Sequence, residues 1–106
     1  MLRMGTYSKS RPPRLNERLV IMYYTYVLQS KKDNKFYIGF TKDLKNRLAF
    51  HNSGKVRATT GRRPLSLIYY ETCLNEADAV KREKYLKTGY GRRYLNNRLS
   101  SHMLDS

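Results

Sequence analysis

Acidic residues are scarce in this chain, and cysteine is almost absent. The 106 residues include 8 acidic side chains against 22 lysines and arginines. The one cysteine, Cys73, cannot form an internal disulfide or a cysteine-based zinc site, and we expect it to be a small core residue in an intracellular, reducing compartment. No apolar run approaches the roughly 18 residues of a membrane-spanning helix, so a membrane partner is not expected.

The excess of positive charge indicates a polyanionic partner. A formal net charge of +14 on a chain of 12.6 kDa is costly through self-repulsion unless a polyanion neutralises it. Nucleic acid is the expected partner, although a solvated basic surface or nonspecific association with the ribosome would also account for the charge. A chain of this length is expected to form one domain with a modest core.

Three regions of different composition follow one another along the chain. Residues 1–21 form a basic extension in which Arg and Lys alternate with Ser, Pro and Thr. We expect a flexible arm there, although its composition also resembles an organellar transit peptide. Residues 22–99 are expected to hold the folded domain, and residues 100–106 a short polar tail in which His102 has no expected role.

Local patterns predict three strands and three helices. Runs rich in Tyr, Thr, Val and Ile predict strands at 23–29, 36–40 and 65–71. Apolar periodicity and capping residues predict helices at 44–52, 76–87 and 92–99. Gly89 is expected to end the second helix. The predicted fold class is α/β of the α+β type, with a small, mainly antiparallel three-stranded sheet flanked by helices.

Chemically versatile side chains are concentrated in the predicted hairpin and the helix after it. Tyr26 and Tyr37 stand 11 positions apart. If the turn between them is nearly symmetric, they are cross-strand neighbours with their phenols side by side. Gly39 then leaves the same face open for a ligand. Arg47 and His51 are four apart and therefore share one face of the helix, and this set of groups suits phosphodiester chemistry.

The order of these residues resembles the GIY-YIG nuclease superfamily. In that family, two tyrosine motifs on a hairpin precede a helix with Arg and His, and a later helix supplies a metal-binding glutamate. Tyr37-Ile38-Gly39 matches the second motif letter for letter, whereas either Tyr24 or Tyr26 could provide the tyrosine of the first. We choose Tyr26 because of its spacing to Tyr37. The resemblance covers roughly residues 22–99.

The resemblance implies a role for each of these side chains. Tyr26 would activate the attacking water with Tyr37 as its orienting partner, whereas ordinary sheet tyrosines would only pack. A free phenol is a poor base at neutral pH, so cations or a metal would have to favour its phenolate. Arg47 would stabilise the phosphorane-like transition state rather than be a solvated arginine. His51 would relay a proton or contact the phosphate, unless it is only a helix C-terminal histidine stabilised by the dipole.

Glu83 is the candidate metal ligand. It lies on an otherwise apolar stripe of the second predicted helix, where its carboxylate either pairs with Lys87 at i+4 or binds Mg²⁺ (or Mn²⁺). The surrounding sequence resembles the glutamate helix of the family, which favours metal binding. Many family members also place an asparagine after this glutamate, and Asn96 and Asn97 are both candidates for that position.

Six further cations are expected to bind nucleic-acid phosphates: Lys42, Lys45, Lys55, Arg57, Arg62 and Arg63. The resemblance implies a metal-dependent DNA endonuclease that uses one metal ion and a tyrosine-assisted attack by water. Two alternatives remain: a nucleic-acid-binding module without catalysis, and a scaffold for a partner nuclease that supplies the specificity.

Overall fold

A computed structural model describes residues 21–105, so the basic extension predicted for residues 1–21 lies almost wholly outside the described residues. The strands are β1 (Tyr23–Ser30), β2 (Phe36–Thr41) and β3 (Leu65–Cys73). The helices are α1 (Leu44–Asn52), α2 (Glu76–Leu86), α3 (Gly89–Arg98) and α4 (Ser100–Asp105), with one 3-10 turn at Thr60–Arg62. In this part of the chain, every helix is too short or too polar to cross a membrane.

Strand β1 is the centre of the sheet. It pairs antiparallel with β2 on one side and β3 on the other, which confirms the predicted fold class. Its alternate side chains face opposite layers: Tyr26 and Leu28 pack beneath α1, whereas Val27 packs against α2 and α3. Because both faces of β1 are covered, its position fixes the helices relative to one another.

The register of the hairpin corrects one expectation. Tyr26 pairs with Gly39, and Tyr37 pairs with Leu28, so the two tyrosines are diagonal rather than direct neighbours. Their ring centroids are 6.4 Å apart and their planes are inclined by 39°. The turn sets this register, because Asn34 adopts a positive φ of 61° and brings the two strands together beyond it.

Gly39 accommodates a side chain of the protein rather than a ligand, contrary to expectation. A Cβ atom built at this position would lie 2.5 Å from the Tyr26 hydroxyl oxygen and 2.7 Å from Tyr26 Cζ. The Tyr26 ring therefore extends across the sheet from β1 and lies over β2. A glycine is required at position 39 because any larger residue would displace the phenol.

The predicted first helix is confirmed, and the predicted boundary after the second is wrong. Asp43 caps α1 by accepting a hydrogen bond from the Asn46 N–H at 3.1 Å. Gly89 does not stop α2 but begins α3, whose N-terminus is capped by the Thr88 hydroxyl, which accepts from the Gly91 N–H at 3.1 Å. Because Thr88 caps a new helix that begins at Gly89, the glycine does not act as the helix terminator that the sequence predicted.

The C-terminal residues and the cysteine also differ from expectation. Residues 100–105, which lie in the predicted polar tail, form the helix α4, which was not predicted. His102 Nε2 lies 2.8 Å from Gln29 Oε1, which ties α4 to the central strand. Cys73 is only partly buried at the end of β3, where its Sγ lies 3.3 Å from the Asn75 carbonyl oxygen, so it is not a core residue.

An ion pair fixes α2 against β3. The Arg82 guanidinium donates to both carboxylate oxygens of Glu71, at 2.8 and 3.0 Å, and the Tyr69 hydroxyl donates to the same carboxylate at 2.8 Å. Burial alone would raise the pKa of Glu71, but the hydrogen bonds from Arg82 and Tyr69 lower it below its ordinary value. Glu83 is the next residue of the helix after Arg82, so this contact also fixes the backbone position from which the Glu83 side chain extends.

We predict that Gly91→Ala destabilises the protein, because Gly91 of α3 lies against the backbone at the end of α2. An added Cβ would collide with the Tyr85 carbonyl oxygen and Leu86 Cα, which cannot rotate away as a side chain can. The free energy of unfolding in urea should fall by about 1–3 kcal/mol. Gly89→Ala is the control, because a Cβ there has no neighbour within 4 Å. Equal stability of the two variants would contradict this account of the contact.

Candidate active site

His51 lies in the last turn of α1, and its side chain has no exposed surface. Its Nε2 is 2.9 Å from the Tyr26 hydroxyl, and its Nδ1 is 2.7 Å from the Thr59 hydroxyl. Burial, aided by the positive charge of Arg47, lowers the pKa of His51 to about 4. The ring is therefore neutral at neutral pH and is not a cation stabilised by the helix dipole. With no exposed surface the ring does not meet a phosphate directly, so of its two predicted catalytic roles only the proton relay is compatible with these contacts.

The hydroxyl of Tyr26 lies between His51 and Arg47. Arg47 Nε donates to it at 3.3 Å, and the Tyr26 side chain is only 1% exposed. Burial raises the pKa of Tyr26 above its ordinary value, the charge of Arg47 opposes this, and Tyr37 and Glu83 add to the increase. The phenolate is therefore not favoured in the protein alone, because desolvation outweighs the single guanidinium. Of the two conditions given for a tyrosine base, cations or a metal, only the metal is left to meet it.

Tyr37 completes the cluster on its outer side. Its ring centroid is 5.0 Å from that of His51, in an edge-to-face arrangement, and the residue is partly exposed. The structure thus brings together four of the five residues that the sequence singled out for chemistry. Tyr24, the alternative motif tyrosine, instead packs edge-to-face against Tyr70 with ring centroids 5.7 Å apart.

Thr59 is a site residue that the sequence analysis missed. It is fully buried, and its hydroxyl is the partner of the inner nitrogen of His51. Thr59 stands in the basic loop between α1 and β3, beside the exposed Thr60. No sequence signal distinguishes two adjacent threonines, because only the folded loop decides which of them faces the imidazole.

Glu83 is partly buried on α2, with 17% of its side chain exposed. Its Oε2 accepts a hydrogen bond from Lys87 Nζ at 3.0 Å, which is the i+4 pair that the sequence offered as an alternative to metal binding. Its charge also acts on Tyr26, so the carboxylate belongs to the same electrostatic environment as the phenol.

The side chains around Glu83 offer few ligands for a divalent cation. Within residues 21–105, no three His, Cys, Asp or Glu side chains form a group that could hold a metal ion. A single carboxylate still suits Mg²⁺, which is commonly bound by one or two carboxylates together with waters and substrate phosphate oxygens. Glu83 fits such a site, in which the substrate supplies part of the coordination.

A basic cleft of about 680 Å³ borders Tyr37. Its charged lining consists of Lys35, Lys87 and Arg92, which lie around the outer edge of β2 and the helices below it. Asn96 lines this cleft, and Asn97 is not among its lining residues. The cleft therefore shares Tyr37 with the cluster and has a positively charged lining.

The six predicted phosphate-binding residues differ in their exposure to solvent. Five are exposed, and they are Lys42, Lys45, Lys55, Arg57 and Arg63. Arg62 differs because it is partly buried, with its Nε 3.3 Å from Asp33 Oδ2 and its Nη2 donating to the Phe36 carbonyl at 3.3 Å. These contacts give Arg62 a structural role in holding the loop against the hairpin. Its predicted role in phosphate binding stays a prediction, as do those of the other five.

Comparison with known proteins gives a consistent result. A family model described as the GIY-YIG catalytic domain matches residues 22–96. A UPF0213 protein of Lactiplantibacillus plantarum is 42% identical over 78 residues, which is 71% of this chain and 76% of the relative. A UPF0213 protein of Staphylococcus haemolyticus is 39% identical over 67 residues, 62% of this chain and 80% of the relative.

The chain is also similar to a protein of known structure. The solution NMR structure of a UPF0213 protein from Bacillus halodurans is 29% identical, with a TM-score of 0.46, and the match covers 73% of this chain and 84% of that one.

We predict that Thr59→Val destabilises the protein, because it keeps the shape of the side chain but removes the hydroxyl that pairs with His51 Nδ1. An unpaired buried polar atom costs about 1–3 kcal/mol, and urea unfolding at pH 7 should show a loss of that order. Thr60→Val is the matched control, since Thr60 is exposed. If the two variants are equally stable, the buried hydrogen bond does not contribute as described.

We predict that the stability of the protein falls between pH 6.5 and pH 4 because of His51. The pKa of His51 is about 4 in the fold and about 6.5 in an unfolded chain. The unfolded state therefore binds the proton more readily, and stability that is complete above pH 6.5 is lost as the pH falls towards 4. The loss attributable to His51 should be at most about 3 kcal/mol.

The non-titrating variant His51→Gln isolates this contribution, because the carboxylates and His102 are the same in both proteins. Chemical unfolding should be measured at pH 7 and at pH 4.5 for each. The parent protein should lose more stability than the variant over this interval. Identical losses would show that the proton affinity of His51 does not differ between the folded and unfolded states.

Proposed function

Because the chain belongs to the GIY-YIG family, we propose that it is a metal-dependent endonuclease that hydrolyses phosphodiester bonds in DNA. A GIY-YIG domain by itself indicates a nuclease that acts on nucleic acid. The observation that carries the proposal is the position of the Tyr26 hydroxyl, held 3.3 Å from Arg47 Nε and 2.9 Å from His51 Nε2.

In the proposed reaction, the Tyr26 hydroxyl transfers a proton rather than acting as a preformed phenolate. The raised pKa of Tyr26 means that the phenol keeps its hydrogen at neutral pH. The Tyr26 hydroxyl is almost fully covered, so the attacking water would first have to reach it. Tyr26 can then take a proton from that water only while it gives its own hydrogen to His51 Nε2. In this step the water oxygen bonds to phosphorus as the bond from phosphorus to the leaving oxygen breaks; the leaving oxygen keeps that electron pair and takes a proton from solvent. The charge gained by the imidazole is shared through the hydrogen bond from Nδ1–H to Thr59.

The low pKa of His51 makes it a weak proton acceptor in the protein alone, and a bound substrate would change that. Of the two effects that lower the pKa of His51, burial and the charge of Arg47, the negative charge of a phosphodiester beside Arg47 and Tyr37 opposes the second and so favours the imidazolium. Proton transfer would thus be assisted only when the phosphate is in place.

Arg47 is positioned to stabilise the charge that develops on the phosphate. Its guanidinium is engaged by Tyr26 through Nε and also by a hydrogen bond with the Tyr37 side chain; because the group has five N–H donors, the remaining ones can bind phosphate oxygens. Loss of one preorganised donor of this kind typically lowers turnover by about 100-fold to 1,000-fold. Tyr37, at the border of the basic cleft, would orient the attacking water.

Glu83 is the residue that we propose holds Mg²⁺ or Mn²⁺. When bound, the cation would supply positive charge to the leaving oxygen. Lys87 now keeps the Glu83 carboxylate paired, and cation binding would require that this partner move aside. Lys35, Lys87 and Arg92 in the adjoining cleft would then neutralise phosphates of the same strand.

We predict that Glu83→Gln abolishes cleavage but retains DNA binding, because it removes a charge and keeps the side-chain shape. Arg47→Ala should lower turnover by about 100-fold to 1,000-fold, and Tyr26→Phe should do likewise because only the hydroxyl is lost. The assay incubates branched, nicked and linear DNA with Mg²⁺, Mn²⁺ or EDTA. Arg93→Ala is the control, since this exposed arginine of α3 contacts only the Tyr90 ring among the described residues.

Two results would contradict the proposal in different ways. If the three variants fold and cleave like the parent, the reaction does not use these residues. If the parent cleaves no DNA or RNA substrate with either cation, the alternative of a nucleic-acid-binding module without catalysis replaces the nuclease.

A further inference from the structure

Two tyrosines form an aromatic pair on the sheet face that carries Tyr26. Tyr70 of β3 is directly opposite Tyr26 in the register of β1 and β3, and Tyr24 is two positions before Tyr26 on β1. The rings of Tyr24 and Tyr70 meet edge-to-face, with centroids 5.7 Å apart and planes inclined by 66°. Tyr70 is 49% exposed, so much of its ring is open to solvent.

This pair lies in a shallow cavity of about 490 Å³ beside the N-terminus of α1. Its apolar lining is contributed by Leu44, Leu48 and Leu67, and its charged lining by Lys42, Lys45 and Asp43. The carboxylate of Asp43 is occupied in capping α1, because it accepts from the Asn46 N–H at 3.1 Å and from Asn46 Nδ2 at 2.8 Å. Neither lysine has a carboxylate partner among the described residues, so the cavity combines an aromatic surface with two available cations.

We propose that Tyr24 and Tyr70 form a platform on which an unpaired base of a DNA strand stacks next to the scissile phosphate. The proposal rests on the proposed nuclease function, because it places the phosphate of that strand at Tyr26 and Arg47. The exposed face of Tyr70 receives the base, and the edge contact from Tyr24 holds the Tyr70 ring in place. Lys42 and Lys45 bind the flanking phosphates.

The geometry favours single-stranded DNA over a continuous duplex as the occupant. Adjacent strands of a sheet are about 4.8 Å apart. Tyr70 and Tyr26 are paired on adjacent strands, so their backbones are separated by only this distance. A base must leave its duplex stack to reach an aromatic side chain, whereas an unpaired base has already lost that stacking. Aromatic stacking combined with neighbouring cations is a general means of binding single strands without sequence preference. The platform would therefore direct the enzyme to DNA with an unpaired segment beside the cleaved bond.

The alternative is that the two tyrosines only stabilise the sheet by cross-strand packing. In that case, replacing Tyr70 would change stability but would not discriminate between single-stranded and double-stranded DNA. Binding measured without cleavage separates the two explanations, and it also separates this proposal from the nuclease activity itself.

The test uses the full chain in EDTA, with a DNA duplex that carries a single-stranded flank containing 2-aminopurine and a blunt duplex of the same sequence. The fluorescence of 2-aminopurine should be quenched when the parent protein binds the flanked DNA. Tyr70→Leu should abolish the quenching and weaken binding of the flanked DNA by about tenfold to a hundredfold, with no change for the blunt duplex. Tyr70→Phe should behave like the parent, because it keeps the ring.

Tyr90→Leu is the matched control. Tyr90 is 69% exposed on α3, and the Arg93 guanidinium lies 5.4 Å from its ring centroid, so it is also an exposed tyrosine beside a cation. This variant should bind and quench like the parent. If Tyr70→Leu fails to fold, Tyr70→Thr, whose branched side chain suits a strand, takes its place.

Three results would overturn the proposal. One is equal affinity of the Tyr70→Leu and Tyr90→Leu proteins for the flanked DNA. Another is an equal loss of affinity for flanked and blunt DNA when Tyr70 is replaced, which would indicate that the substitution disrupts the whole DNA-binding surface and not the stacking of an unpaired base. The third is tighter, Tyr70-dependent binding of the same flank made of RNA, which would reassign the platform to a different nucleic acid.

Discussion

The imidazole of His51 has no exposed surface, yet each of its nitrogens has a polar partner on a different element of the fold. Nε2 faces Tyr26 on the central strand, and Nδ1 faces Thr59 in the loop before β3. Because an unpaired polar group in the interior costs about 1–3 kcal/mol, both contacts must be kept. One buried ring thus sets the position of the helix, the loop and the phenol relative to one another, and the chemistry of the site depends on that arrangement.

The glycine opposite Tyr26 follows from the same constraint. The hydroxyl can reach His51 and Arg47 only if the ring crosses β2, and it crosses where Gly39 leaves room, since a Cβ there would lie 2.5 Å from the hydroxyl oxygen. Tyr37 lies two positions before Gly39 on β2 and pairs with Leu28. It therefore packs at the side of the cluster instead of pairing directly with Tyr26. The glycine of the second tyrosine motif is therefore required by a neighbouring catalytic candidate and not by a bound ligand.

Local sequence patterns were sufficient to predict the strands and α1, because alternation and helical spacing are decided within a few residues. The grouping of Tyr26 with Arg47 and His51 was expected from the family resemblance. Contacts between distant segments were not predictable in this way. The hairpin register depends on a left-handed Asn34. The choice of Thr59 over Thr60 depends on how the loop folds against α1, and the use of Gly89 to start a helix depends on a cap outside the expected boundary.

The two pKa shifts at the centre of the site oppose catalysis in the isolated protein, and this suggests how the proposed reaction is restricted to bound substrate. Burial keeps a proton on Tyr26 and keeps His51 without one. A phosphodiester beside Arg47 would raise the pKa of His51, and neutralisation of Glu83 by a bound cation would remove a charge that now raises the pKa of Tyr26. The proton that the proposed relay passes through Tyr26 needs an acceptor, and a bound phosphodiester would make His51 a better one than it is in the protein alone.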